Sequence, residues 1–282
     1  MRIDILYSTW DLNFWGPIMR ERYGMSNYTR SADKGKAVVF FGCYSRGTKD
    51  DIMNHQGLSV IVWAGSDSTR LHEHTDFIEY LVDNSNRVFH IAHSHWIQTD
   101  LKHWGLSYID RVVLPMDLSA YKFEPNTGTS VYHYGSTGRE FYYGTTLIKK
   151  LRTKMESPKV IITNAHEHGK PALYEIYKDC FVGVRLTEHD NMALSCVEMG
   201  LMGRRSIFNG DIPCAIPYPC HPYDRYEPET RKRWVWQDDS LFGIVEKMIL
   251  EMDREPDKLL AEEMAEFIYD DEDWLDTKFY EI

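Results

Sequence analysis

Runs of apolar sequence closed by glycine or a polar turn restrict this chain more than any other feature. Ala37-Val-Val-Phe-Phe-Gly42 is continuous, and Leu58-Ser-Val-Ile-Val-Trp63 repeats the pattern. A strand with one wet face alternates apolar and polar residues; one that is apolar throughout is buried on both faces, as in a parallel sheet. A parallel sheet in turn requires crossover helices between its strands. Further strands read at Ile3–Tyr7, Arg87–Ala92, Ser130–Tyr134, Lys159–Thr163, Phe181–Leu186 and Arg205–Asn209.

Helical periodicity fills the intervals. His93 opens a helix that ends near Gly105, Pro171 starts a short one over 172–178, and 192–202 has apolar residues at Leu194, Val197 and Leu201 before Gly203. Residues 240–252 and 256–268 carry clear amphipathic stripes. Ser8-Thr9-Trp10, followed by Gly16-Pro17, reads as a loop after the first strand, and the polar 23–36 stretch as a mobile or acceptor-facing loop. Pro115 and Pro125 hold 111–125 extended, which suits a linker. With 282 residues the chain has room for two domains of the usual ~100–200 residues.

Composition removes several classes. The formal charge of −11 does not favour a dedicated polyanion binder unless basic residues are locally grouped. Five scattered cysteines make no disulfide framework and point to a reducing cytoplasm. Cys214, Cys220 and His221 lack the close Cys pair and the fourth ligand of a zinc site. The N-terminus reads as a strand rather than a signal peptide, and no apolar run approaches the ~20 residues of a membrane span.

The stretch 185–209 reads as strand, tight loop, helix and next strand, with Asp190 in the loop and Glu198 eight positions later. A helix start offers unpaired backbone N–H groups and a positive dipole end, so the amides around Ala193, Leu194 and Ser195 form a site for a diphosphate. An acid on either side of that diphosphate can bond hydroxyls, which describes a nucleotide-sugar.

On these residues the segment resembles the two-acid signature of retaining glycosyltransferases of family 4. The resemblance implies an α/β chain of GT-B fold: two Rossmann-like domains facing across a cleft, with a C-terminal helix crossing back to the N-terminal domain. It divides the chain into 1–122 for the acceptor, 123–255 for the nucleotide-sugar, and 256–282 returning to the first domain. The first acid is Asp190 where the family usually has Glu, and Asn191 stands in place of Gly, which leaves the sugar open.

Donor-binding residues follow from the resemblance: Gly135, Ser136 and Arg139 in a glycine-bearing loop, Asn164 and His166 in the next loop, then Asp190, Asn191, Met192, Ala193, Leu194, Ser195 and Glu198. Arg139 matches one of the family's two basic phosphate ligands; Tyr143 replaces the other. Asp190, Arg139 and Asp67 are the expected catalytic groups. Trp10, Gly65, Ser66, Asp67 and His93 are expected to face the acceptor, although Asp67 reads equally as a helix N-cap and His93 equally as an ordinary histidine. The family needs no metal or other cofactor beyond the donor, here a UDP-sugar by expectation.

Trp10, Trp15, Arg20, Arg22, Tyr23, Tyr28, Arg30, Lys34 and Lys36 combine stacking surfaces with cations, which suits a DNA acceptor with a flipped, hydroxymethylated pyrimidine, as in phage-type DNA modification. A glycan, lipid-linked sugar or protein acceptor stays open, as does a catalytically silent sugar-nucleotide-binding protein. The oligomeric state is not legible.

Overall fold

Each of these runs becomes a strand parallel to its neighbours in the computed structural model, which describes residues 3–135, 138, 140, 142–163, 170–187, 189–218, 238–269 and 275. The chain divides into two compact units. The first takes Met1–Asp117, His189–Met192 and Ile268–Ile282; the second takes Leu118–Glu188 and Ala193–Phe267.

In the first unit, β1 (Ile5–Ser8) is followed by a 3-10 turn (Trp10–Leu12), α1 (Trp15–Tyr23), β2 (Ser26–Asn27), β3 (Val38–Phe41), α2 (Arg46–Asn54) and β4 (Ser59–Val62). Then come α3 (Ser66–Thr69), α4 (Thr75–Asp83), β5 (Val88–Ile91) and α5 (His95–His103). The sheet order is β2-β1-β3-β4-β5, all parallel. Alternate residues of the apolar runs serve opposite faces: Val38, Phe40 and Ile61 pack with Phe77, Leu81, Ile97 and Leu101, whereas Val39, Phe41, Val60 and Val62 pack with Met19, Tyr23 and Leu275.

Three segments depart from the sequence reading. Gly16 and Pro17 lie in the first turn of α1 rather than in a loop, where proline's missing N–H costs no helical hydrogen bond. The polar 23–36 stretch holds the edge strand β2, which pairs with β1 alone and keeps both residues exposed. Helix α2 has no apolar stripe to announce it, because Thr48, Lys49 and Asp51 are among its buried positions.

The second unit runs β6 (Ser130–Tyr134), α6 (Thr145–Lys154), β7 (Lys159–Thr163), α7 (Lys170–Lys178), β8 (Cys180–Val184), α8 (Leu194–Leu201) and β9 (Arg205–Ile207). It continues with β10 (Ala215–Ile216), α9 (Asp238–Met252) and α10 (Lys258–Tyr269), the last two residues of α10 grouping with the first unit. The sheet order is β10-β9-β8-β6-β7, again parallel. Counted from its own first strand, each sheet therefore reverses direction beside that strand, between β1 and β3 in one unit and between β6 and β8 in the other. In open parallel sheets ligands bind beyond the carboxyl ends of the strands at that reversal.

Arg204, fully buried, staples the second unit. Its guanidinium donates to the carbonyls of Cys180 (2.6 Å), Asn126 (2.8 Å), Met202 (3.0 Å) and Lys178 (3.2 Å). The two compact units divide at 117/118 in the sequence, and most of α10 groups with the second unit. Among the described residues no helix is long and apolar enough to cross a membrane.

Candidate functional site

Helix α8 begins at Leu194, two residues later than the periodicity suggested, so Asp190 precedes it by four residues and Glu198 lies in its second turn. The reason is visible in the first unit, to which His189–Met192 belongs. There Ser94 Oγ donates to the Asp190 carbonyl at 2.7 Å, and Asn191 Nδ2 donates to the Trp63 carbonyl at 3.2 Å. His189 Nε2 lies 3.0 Å from Asp100 Oδ2, which also accepts from Ser68 Oγ at 2.7 Å. Ser, His and Asp are the residue types of a nucleophilic triad, but here the hydroxyl donates to the carboxylate and all three are buried. The cluster anchors the loop that carries Asp190. No local pattern in the sequence marks it, since its members come from three distant segments.

The other first-unit candidates are placed as follows. Trp10 is 80% exposed in the turn after β1, at the reversal of strand order. Gly65 caps α3 at φ 136°, a conformation that favours glycine, and Ser66 is half-buried beside it. Asp67 is fully buried: its carboxylate accepts from the backbone N–H of Cys43 (2.9 Å), Ala64 (3.2 Å) and Ser68 (3.2 Å), so it ties the ends of β3 and β4 together. Burial pushes its carboxyl up to about 6 against those amide bonds. His93 Nδ1 is 3.0 Å from Asp110 Oδ1.

The cationic and aromatic surface read as suited to DNA largely has partners within the unit. Arg22 pairs with Asp117, Arg30 with Asp51 and Lys36 with Asp33, while Arg20 bonds Asn27. Tyr23 is buried with its hydroxyl on the Leu114 carbonyl, and Tyr28 packs against Phe40.

In the second unit the carboxyl edge of the sheet is built for close approach. At Gly135, just past β6, a Cβ would lie 2.7 Å from Ile162 Cγ2. The cap of α8 is Ala193, which offers no side-chain acceptor to the first-turn amides of Leu194 and Ser195. Glu198 is fully buried and accepts from the Tyr177 hydroxyl at 2.8 Å, with the Tyr121 hydroxyl also bearing on it. Burial and the nearby carboxylate raise the Tyr177 hydroxyl well above its ordinary range. Arg185, missed in the sequence, follows β8 with its guanidinium 4.2 Å from the Tyr134 ring centre and 4.6 Å from that of Tyr143. A cation closing a buried strand was the available signal.

The fold is similar to that of TarM. One structure, a mutant of S. aureus TarM in complex with fondaparinux, alpha-GlcNAc-glycerol and UDP, superposes with a TM-score of 0.51 at 12% identity, over 86% of this chain and 53% of that one. A second crystal structure of TarM gives 0.50 at 13% identity, over 88% and 56%. The chain thus spans about half the length of the TarM chains it matches. At this identity the likeness is one of fold, and it carries no TarM side chain across to this sequence. No family model and no curated protein matches the sequence.

Ser136, Arg139, Asn164 and His166 lie outside the described residues, as do Cys220 and His221. Met192 is half-buried in the first unit's loop. Cys214 is buried with its thiol on the Cys196 carbonyl at 3.3 Å.

Proposed function

We propose that the chain is a retaining GT-B glycosyltransferase of the family 4 type, moving a sugar from a UDP-sugar to an acceptor hydroxyl. The observation that carries this is α8: its uncapped first turn follows the strand at the reversal of sheet order, and Glu198 sits one turn inside it. Amides and dipole at that turn take the diphosphate. Glu198 takes the ribose diol.

In this reading Asp190 and Asn191 address the sugar, while Gly135, Ser136, Arg139, Asn164 and His166 complete the donor site. Arg139 and the α8 dipole stabilise the departing UDP, a fixed positive field aimed where negative charge develops. The acceptor hydroxyl attacks from the face the leaving group departs, and the leaving phosphate takes its proton. No metal enters this scheme.

Trp10, Gly65, Ser66 and His93 form the acceptor side. The ion pairs of Arg22, Arg30 and Lys36 favour a polyol or glycan hydroxyl over a DNA base. UDP and alpha-GlcNAc-glycerol in the TarM complex support the same choice. The test offers radiolabelled UDP-sugars to polyols, glycans, unmodified DNA and hydroxymethylated DNA. Label on a polyol or glycan is the expected result; label on hydroxymethylated DNA alone, with a steep salt dependence, would replace that acceptor with a nucleic acid.

A further inference from the structure

We propose that a cavity beside the start of β5 binds a small neutral lactam, whose N–H and carbonyl complete a rung that the first sheet leaves unmade. The edge of β5 sets this up. In a ladder, alternate residues of a strand turn both backbone groups to the same side. Ser59 and Trp63 N–H donate to the Arg87 and Ile91 carbonyls, so Val88 and His90 turn their N–H and C=O away from β4. Farther along, that outer side is bonded: Ile109 N–H donates to the His90 carbonyl at 2.8 Å, and Ala92 N–H to the Ile109 carbonyl at 3.1 Å. One step earlier a regular ladder would set Ser107 against the Val88 carbonyl and the His90 N–H. Among the described residues neither group has a partner.

The chain there is held against α5 instead. Gly105 turns at φ 71°, Leu106 N–H donates to the Leu101 carbonyl at 3.0 Å, and the Tyr108 hydroxyl donates to Gln98 Oε1 at 3.2 Å. What remains is a cavity of about 350 Å³ whose walls include Leu81, Val88, Leu106 and Ile109, with the exposed Ser85 and Ser107 at its rim. That volume suits a ligand of one or two rings. His90 brings a second donor to the same wall. Its Nδ1 accepts from Trp63, which leaves the proton on Nε2, and among the described residues nothing accepts it. The described lining residues include no Asp, Glu, Lys or Arg, so the ligand is neutral. A lactam carries N–H and C=O on one edge, as residue 107 would in the ladder, whereas a trans amide points them apart. The cavity lies at the start of β5, away from the carboxyl ends of the strands that carry the proposed acceptor side.

NMR titration of the full chain with ε-caprolactam tests this, with cycloheptanone, in which CH₂ replaces the N–H, as the control. Caprolactam should shift the His90 backbone amide signal saturably in the millimolar range, and cycloheptanone should bind about tenfold more weakly, the worth of one hydrogen bond. Burial of apolar surface alone would rank the two the other way. Ser107→Trp, at an exposed position, should abolish the caprolactam shift while leaving the rest of the spectrum in place. No saturable shift at His90, binding of cycloheptanone as tight as that of caprolactam, or an unaltered caprolactam shift in Ser107→Trp would each overturn the proposal.

Discussion

His90 and His133 are bases that burial keeps neutral. Trp63 Nε1–H donates to His90 Nδ1 at 3.2 Å, which requires that nitrogen to be bare, and burial lowers the group to about 4. In the second unit His133 lies between the Val184 carbonyl and the Thr145 hydroxyl, each at 3.0 Å, and burial lowers it to about 3. Both folded values lie below the unfolded one, so their contribution to stability is present above pH ~6.5 and is lost as pH falls toward 4 and 3. Between pH 7 and 5 each should cost about 2 kcal/mol. Asp67 acts in the opposite sense, because protonation relieves a buried charge as pH falls through about 6, and returns about 1 kcal/mol by pH 5. Urea unfolding of His90→Gln, which keeps an acceptor for Trp63, should therefore show a pH 7-to-5 loss about 2 kcal/mol smaller than wild type. An identical loss would mean that His90 is not held neutral. Glu198→Gln keeps the shape of the side chain but removes its charge. It should weaken UDP by about ten- to a hundredfold, the ~1.5–3 kcal/mol of hydrogen bonds to a charged group. A drop in thermal stability with unchanged UDP affinity would make Glu198 a purely structural acid.

At the scale of elements, Arg204 joins the start of β8, the ends of α7 and α8, and the 124–126 turn through one guanidinium. Arg204→Met fills the volume but leaves several buried carbonyls without a donor. The expected loss is about 3 kcal/mol or more, read by thermal unfolding of the second unit; a change below ~1 kcal/mol would show that water replaces the staple. The strands were legible because burial on both faces writes itself as unbroken apolar sequence, as in Val38–Phe41. Helix α2 was not, since its inward positions include Thr48, Lys49 and Asp51, whose partners lie elsewhere in the fold. The start of α8 was misplaced for a related reason. Met192 and Ala193 are good helix formers, yet the preceding residues are tied by Ser94 and Trp63, contacts about a hundred positions away in sequence.

For the whole molecule, the two-acid spacing and the glycine loop could be read from the chain, but the electrostatics around them could not. Asp67 reads equally as an acceptor-facing acid and as a helix N-cap, and nothing in Ser-Asp-Ser reveals the three amides that converge on it. The basic residues of the first unit looked like a phosphate surface, yet carboxylates meet several of them, Asp117 and Asp51 from other segments and Asp33 from the same one. Transfer should accordingly depend only weakly on salt, within about threefold between roughly 50 and 200 mM, where several phosphate contacts would give orders of magnitude. The most direct measurement is release of UDP from a panel of UDP-sugars, with a polyol or glycan acceptor present, by wild type and Glu198→Gln. The account predicts acceptor-dependent UDP release by wild type that falls at least about tenfold in the variant at subsaturating donor. No release from any UDP-sugar, or equal release by both proteins, would contradict it.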